Sequence, residues 1–177
     1  MTDTGEHTIV LATYGWDAPE GADPFTHWVD GTAAMGNTPF QMPIITPVVA
    51  GLWQGGYVPG IDLGDRFAYV LSLYPWHKWP IAEGVVRREV EMYDSHDGPD
   101  RKQIVELAEW VNEARRNGPT LVHCQAGLNR SALVTAAALI LDGSTPEEAI
   151  ALLRQKRSPA VLCNPTFERW LRTFRGE

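Results

Sequence analysis

One nine-residue stretch, His123-Cys124-Gln125-Ala126-Gly127-Leu128-Asn129-Arg130-Ser131, constrains the chain more than any other because its flanks are so unlike each other. Residues 120–122 (TLV) form a short apolar run that suits a buried strand. Residues 132–141 are apolar all round, which suits a buried helix. The nine residues therefore turn a strand into a helix, and such a turn is a natural anion site. The loop's backbone N–H groups and the unpaired donors of the helix's first turn can all face a phosphate, and the helix dipole favours its charge. Gly127 allows the tight curve. Arg130, six residues after Cys124, can reach back as a planar fork onto two phosphate oxygens.

The same positive field acts on Cys124. Helix N-termini and nearby cations favour the thiolate, which is the nucleophilic form of cysteine. A thiolate at the floor of a phosphate cradle is placed to attack phosphorus, in two steps through a cysteinyl-phosphate that water then hydrolyses. Ser131 can donate a hydrogen bond to the sulfur and make it a better leaving group in the second step. Cys and Arg six apart would be a weak signal alone, since unpaired cysteines are usually just small buried residues. The surrounding His, Gly and Ser and the two flanks are what lift the motif above that reading.

His-Cys, five residues, Arg, then Ser resembles the signature of the cysteine-dependent protein tyrosine phosphatase superfamily, and specifically its dual-specificity branch. The resemblance implies an α/β fold: a central mixed, mainly parallel twisted sheet of four to five strands flanked by helices. It implies Cys124 as nucleophile, Arg130 as phosphate ligand, and Ser131 as the hydroxyl that assists breakdown of the intermediate. Gln125, Ala126, Gly127, Leu128 and Asn129 would complete the phosphate-binding loop, with His123 ordering it through backbone hydrogen bonds. The resemblance covers about residues 47–175, ending in residues 157–171 (RSPAVLCNPTFERWL).

Expelling an alkoxide or phenoxide from phosphorus is easier when a carboxylic acid protonates the leaving oxygen, an effect worth roughly 10² to 10⁴ in rate. The dual-specificity family places an aspartate about thirty residues before the cysteine, after a strand. Asp94 fits at 30 residues before Cys124, and Asp97, at 27, fits less well. Either could equally serve ordinary turn chemistry.

The flanking elements follow from periodicity. Residues 48–54 read as a strand closed by Gly55-Gly56, residues 67–73 (FAYVLSL) as a buried strand, and residues 88–93 as an alternating strand. Residues 74–80 (YPWHKWP) must be a loop, given two prolines, and their aromatics either line a substrate groove or pack on the surface. Residues 100–117 form an amphipathic helix with Asp100 and Gln103 as a capping box, stopped by Gly118-Pro119. Thr145-Pro146-Glu147-Glu148 starts another that runs to about Arg157, and Asn164-Pro165 opens the last.

The chain is read as an arm over residues 1–46 and a catalytic domain over 47–177. In the arm, Ile9-Val10-Leu11-Ala12 suits a short strand, but Gly, Pro, Asp and Asn recur to Pro47 and break any long element. Trp16, Phe25, Trp28, Met35 and Phe40 are too apolar for a disordered tail, so the arm should pack on the domain, as ordered coil covering a sheet edge or core face or, as the less favoured alternative, as a lid over the active site.

Charge and cysteine usage bound the partners. Residues 1–100 hold fourteen Asp and Glu against four Lys and Arg, while residues 101–177 hold eleven Lys and Arg against eight Asp and Glu. The half carrying the loop is thus cationic, which suits a phosphorylated substrate, and the resemblance implies that this substrate is a phosphorylated protein. The whole chain, at −7, argues against extended nucleic-acid binding. Residues 1–7 do not resemble a secretory leader, and no apolar run approaches the ~20 residues of a membrane span. Two cysteines, Cys124 and Cys163, give no disulfide framework, and a nucleophilic thiolate needs a reducing compartment. The expectation is a cytoplasmic monomer with no cofactor, no metal and no membrane partner. Cys163 is read as a core residue.

Departures from the family pattern bear on the substrate. The residue before the arginine is usually Ser or Thr in dual-specificity enzymes and is Asn129 here; Asn also occurs there in the related RNA 5′-triphosphatases. Those enzymes generally lack the leaving-group aspartate that Asp94 would supply. Phosphoinositide phosphatases tend to place lysines in the loop, and this loop has none. A shallow site accepting phosphotyrosine, and also phosphoserine or phosphothreonine, is the reading these residues favour. Behind it stand an RNA 5′-triphosphatase, a phosphoinositide phosphatase, and a phosphate-recognition module without turnover.

Overall fold

A computed structural model describes residues 18–175. The strand read at residues 9–12, and Trp16, lie outside those residues.

β7 (Thr120–Cys124) is the axis of the molecule. All five of its residues are buried, and it pairs in parallel on both sides, with β4 (Leu52–Gly56) and β5 (Tyr69–Ser72). A strand covered on both faces has no reason to alternate, which accounts for its unbroken apolar start. β6 (Val86–Glu89) continues the parallel set beyond β5, and β3 (Ile45–Val49) closes the other edge antiparallel to β4. The order β3-β4-β7-β5-β6 is the mixed, mainly parallel sheet expected from the sequence.

Four helices pack around it: α1 (Arg101–Asn117), α2 (Arg130–Leu141), α3 (Pro146–Lys156) and α4 (Pro165–Thr173). α2 touches the other three and also β7 and β4, and eleven of its twelve residues are buried. That enclosure is why its sequence carries no polar stripe. α1 turns Ile104, Leu107, Ala108, Val111 and Ala114 into the core. Asp100 caps it by accepting from the Gln103 N–H at 3.2 Å. α3 starts with a full capping box between Thr145 and Glu148, and α4 is capped by Asn164.

Three readings of the main sheet change. Residues 48–54 are not one strand: the chain reverses at Ala50-Gly51, so β3 and β4 are two antiparallel strands. Gly51 has φ +76°, and a Cβ there would stand 2.5 Å from the Arg115 carbonyl oxygen. Gly55 and Gly56 are not a closing turn but the last two residues of β4, paired with His123 and Cys124. β6 begins two residues earlier than the alternating pattern suggested, because at a sheet edge exposure tracks neighbours more than pairing.

Residues 28–43 form a hairpin rather than coil, β1 (Trp28–Ala33) against β2 (Thr38–Pro43). Pro39 and Pro43 are tolerated in β2 because a two-stranded ribbon leaves one side of each strand without a ladder. Val29, Ala33, Phe40 and Met42 join the central hydrophobic core.

Candidate active site

The site lies beyond the carboxyl end of β7, between β4 and β5, in the crevice at the carboxyl ends of the parallel strands. The turn from β7 to α2 is held by its carbonyl groups, and those of residues 124 to 128 are each engaged from outside the loop. The Tyr57 N–H donates to both the Cys124 and Gln125 carbonyls, at 3.0 and 2.8 Å. Arg157 donates to the Ala126 carbonyl at 3.2 Å and to that of Gly127 at 2.8 Å, and Gln54 Nε2 also reaches Gly127 at 2.9 Å. The Leu162 N–H takes the Leu128 carbonyl, and the Leu133 N–H takes that of Asn129.

In a trans peptide the N–H points opposite to the C=O of the same plane. Carbonyls drawn outward therefore aim the following N–H groups inward. Gly127 displays the result: the Ala126 carbonyl is outside, and the Gly127 N–H reaches Cys124 Sγ at 3.2 Å. Gly127 has φ +73°, and a Cβ on it would collide with Arg157 Nη2 and the Gly55 carbonyl at 2.5 Å. Gly56 is under the same constraint, since a Cβ there would stand 2.4 Å from the Ala126 backbone. The absence of side chains at Gly55 and Gly56 is what lets the loop sit directly upon the end of β4.

Cys124 is buried, with Ser131 Oγ at 3.3 Å. Arg130, 6% exposed, donates from Nη1 to the Met92 carbonyl at 3.1 Å and from Nη2 to Gln125 Oε1 at 3.4 Å. Its buried Nε has no partner among the described residues. An unpartnered guanidinium donor beside a concave set of N–H groups is a place for an oxyanion. His123 lies behind the loop, its Nδ1 3.3 Å from the Cys124 carbonyl and its ring 4.7 Å from that of Trp79. Burial holds it neutral, lowering its pKa to about 4 against the raising effect of the Cys124 carbonyl.

Asp94 is buried and faces the loop. Its Oδ2 accepts from Asn129 Nδ2 at 2.8 Å and its Oδ1 from Asn164 Nδ2 at 2.7 Å. Asp97 is exposed on the same connection, its N–H donating to Ser95 Oγ. Cys163 is only partly buried and lies against Asn129, with Nδ2 at 3.4 Å from its sulfur; burial pushes its thiol pKa up.

The aromatic loop after β5 comes to the arginine side of the cradle. The Arg130 guanidinium stands 5.4 Å over the Tyr74 ring. Tyr74 contacts Trp76 at 5.2 Å, and Trp76 contacts Tyr93 at 5.7 Å. Trp76 and Tyr93 are 42% and 47% exposed, unusual for rings of that size.

The structure brings Cys124, Arg130, Ser131, Asp94 and Asn129 into one neighbourhood. It adds three residues that the sequence does not single out: Tyr57, Gln54 and Arg157. Arg157 is 4% exposed and also donates to the Pro43 and Ile44 carbonyls and to Thr46 Oγ1. An arginine closing an otherwise amphipathic helix is its only sequence signal.

A thiol at the floor of an anion cradle, on a mainly parallel α/β sheet, defines the class of site. Comparison with known proteins gives the family. Residues 65–177, more than half of the chain, match the family described as dual specificity phosphatase, catalytic domain. The chain belongs to that family. It is 26% identical over 136 residues to mouse dual specificity protein phosphatase 15, covering 73% of this chain and 57% of the relative. It is 32% identical over 101 residues to protein tyrosine phosphatase PRL-1 of Leishmania major, covering 56% and 54%. The chain thus spans a little over half the length of these relatives. The crystal structure of human DUSP28 superposes with a TM-score of 0.61 at 26% identity, covering 73% of this chain and 90% of that one. β3 and β4 precede the matched region and still belong to the same sheet. No helix among the described residues is long and apolar enough to cross a membrane.

Proposed function

We propose that the chain is a phosphatase that hydrolyses phosphomonoesters on proteins through a cysteinyl-phosphate, phosphotyrosine foremost and phosphoserine or phosphothreonine besides. The observation that carries the reading is the contact set of one sulfur: Cys124 Sγ receives the Gly127 N–H at 3.2 Å and has Ser131 Oγ at 3.3 Å. These are the contacts a thiolate needs to be held ready and to depart again.

In the first step the sulfur attacks phosphorus in line with the ester oxygen. The S–P bond forms as the P–O bond breaks, Arg130 and the loop N–H groups bind the three equatorial oxygens, and Asp94 gives its proton to the departing oxygen. In the second step water attacks phosphorus, the carboxylate of Asp94 takes the water's proton, and the sulfur leaves as thiolate with the Ser131 hydroxyl donating to it. Gln125, Ala126, Gly127, Leu128 and Asn129 shape the cradle. The exposed Trp76 and Tyr93 rings favour an aryl ester, and a nucleophilic thiolate favours a reducing compartment such as the cytoplasm.

The test is phosphate release from a phosphotyrosine peptide under reducing conditions, by wild type and by Cys124→Ser. Turnover that vanishes in the variant supports the reading. Inactivity of the wild type on that peptide, with turnover of triphosphorylated RNA or a phosphoinositide, would move it to those substrates. Binding without turnover on all three would leave a recognition module.

A further inference from the structure

We propose that Asn129 is the positioning residue for the acid, fixing the Asp94 carboxyl to the phosphate loop one backbone step before Arg130. The inference rests on Asp94 acting as the leaving-group acid under the reading above.

Asn129 stands at the N-cap of α2, where an asparagine side chain ordinarily accepts from the helix's own first N–H groups. Here it makes no such bond. Its amide is turned away from the helix and spans two other segments. Oδ1 accepts from the Asn164 N–H at 2.9 Å, and Nδ2 donates to Asp94 Oδ2 at 2.8 Å. The orientation of the amide is fixed by chemistry: a backbone N–H can only donate, so the atom facing it is the oxygen, and the nitrogen faces the carboxylate.

The other oxygen of Asp94 is held as firmly. Asn164, fully buried, donates from Nδ2 to Asp94 Oδ1 at 2.7 Å and to the Ser95 carbonyl at 3.0 Å. Asn164 is in turn locked by its own Oδ1, which caps α4 by accepting from the Thr166 and Phe167 N–H groups. Asp94 thus has both oxygens bonded although residues 90–99 carry no regular element. Each carboxyl oxygen has a second lone pair, so a proton can be carried with both amide bonds kept.

Two consequences follow. An acid on an irregular connection would have to be ordered at each turnover; here its rotamer and its distance from the phosphate loop are set beforehand. Because the Asn129 side chain does not cap α2, the first-turn N–H groups of that helix are left for an anion.

The experiment compares kcat/KM, which reports transfer to the cysteine, for two aryl phosphates. One is 4-nitrophenyl phosphate, whose phenolate leaves readily unaided, and the other is phenyl phosphate, whose phenolate needs a proton. Wild type, Asn129→Ala, Asn129→Ser, Asp94→Asn and the double variant Asp94→Asn with Asn129→Ala are measured, each checked by thermal unfolding. The expected result is that Asn129→Ala slows phenyl phosphate about tenfold more than 4-nitrophenyl phosphate, a part of the roughly 10² to 10⁴ an acid supplies. In the double variant that selectivity should not exceed that of Asp94→Asn alone. A loss equal on both substrates, or a selectivity that multiplies that of Asp94→Asn, would overturn the proposal. If Asn129→Ala does not fold, Asn129→Ser carries the same comparison. If Asp94→Asn is itself unselective, the acid assignment fails first, and the inference with it.

Discussion

Arg157 and Gly127 meet across the back of the phosphate loop: the guanidinium Nε donates to the Gly127 carbonyl at 2.8 Å, while the Gly127 N–H on the other side reaches Cys124. The arginine thereby sets the orientation of peptide groups it does not itself expose to the cradle. Six of its bonds join the loop to Pro43, Ile44, Thr46 and Gln54.

Arg157→Met should therefore lower stability by on the order of 3 kcal/mol, because several buried carbonyls lose their donor at once. Arg157→Lys should recover only part of this, since an ammonium cannot bond as a planar fork. Urea unfolding gives the stability, and kcat/KM on a phosphotyrosine peptide should fall in both variants. Wild-type stability in Arg157→Met would show that the carbonyls are held by something else.

Gly127→Ala meets two obstacles, a positive φ and a Cβ within 2.5 Å of Arg157 and Gly55. Something must shift, and the Gly127 N–H would leave the sulfur. Turnover should drop at least tenfold, with a loss of at least about 1 kcal/mol in unfolding free energy, the lower end of backbone strain. A fully active variant would remove the loop's outward-carbonyl geometry as the basis of the cradle.

How much of this was legible in the sequence depends on how far apart the partners lie. Cys124, Gly127, Arg130 and Ser131 sit within eight positions, and their flanks announce a strand and a buried helix, so the loop could be read directly. The grip of Arg157 on residues 126 and 127 could not, because its partners are carbonyls, which every residue type carries. Asn129 and Asp94 each stand out in the sequence, but their hydrogen bond joins positions 35 apart. The turn between β3 and β4 was hidden because residues 48–54 are apolar almost without a break and only Gly51 marks the reversal.

Ser131→Ala should separate the two chemical steps. If the hydroxyl 3.3 Å from the sulfur helps it depart, attack on phosphorus is little changed while hydrolysis of the intermediate slows. The expected outcome is a burst of phenol of about one equivalent per enzyme followed by turnover at least tenfold slower, an effect at the lower end for a positioned hydrogen-bond donor. A steady-state rate without a burst would place Ser131 outside the second step.

The exposed pair Trp76 and Tyr93 should matter for aryl esters only. Trp76→Ala should reduce kcat/KM for a phosphotyrosine peptide by several-fold, equivalent to about 1 kcal/mol of ring contact. The matched phosphothreonine peptide should be unaffected, because its methyl group offers no face to stack upon. An equal loss on both peptides would assign Trp76 to packing of the loop instead.

His123 gives the fold a pH dependence of its own. Its pKa is about 4 in the folded chain and near 6.5 when unfolded, so between those values the unfolded state binds the additional proton. Its contribution is fully present above pH 6.5 and is lost as pH falls toward 4, a total on the order of 3 kcal/mol at 1.36 kcal/mol per unit. Of the charges near it, Arg87 and Arg130 press the same way and Glu89 opposes them. Carboxylates held low, such as Glu148 with the Thr145 N–H bonded to it, lose their contribution at lower pH and leave the interval from 6.5 to about 4.5 to the histidine. Urea unfolding across that interval should show stability falling with acid, and His123→Asn should flatten the slope. A slope of the same size in the variant would assign the effect to other groups.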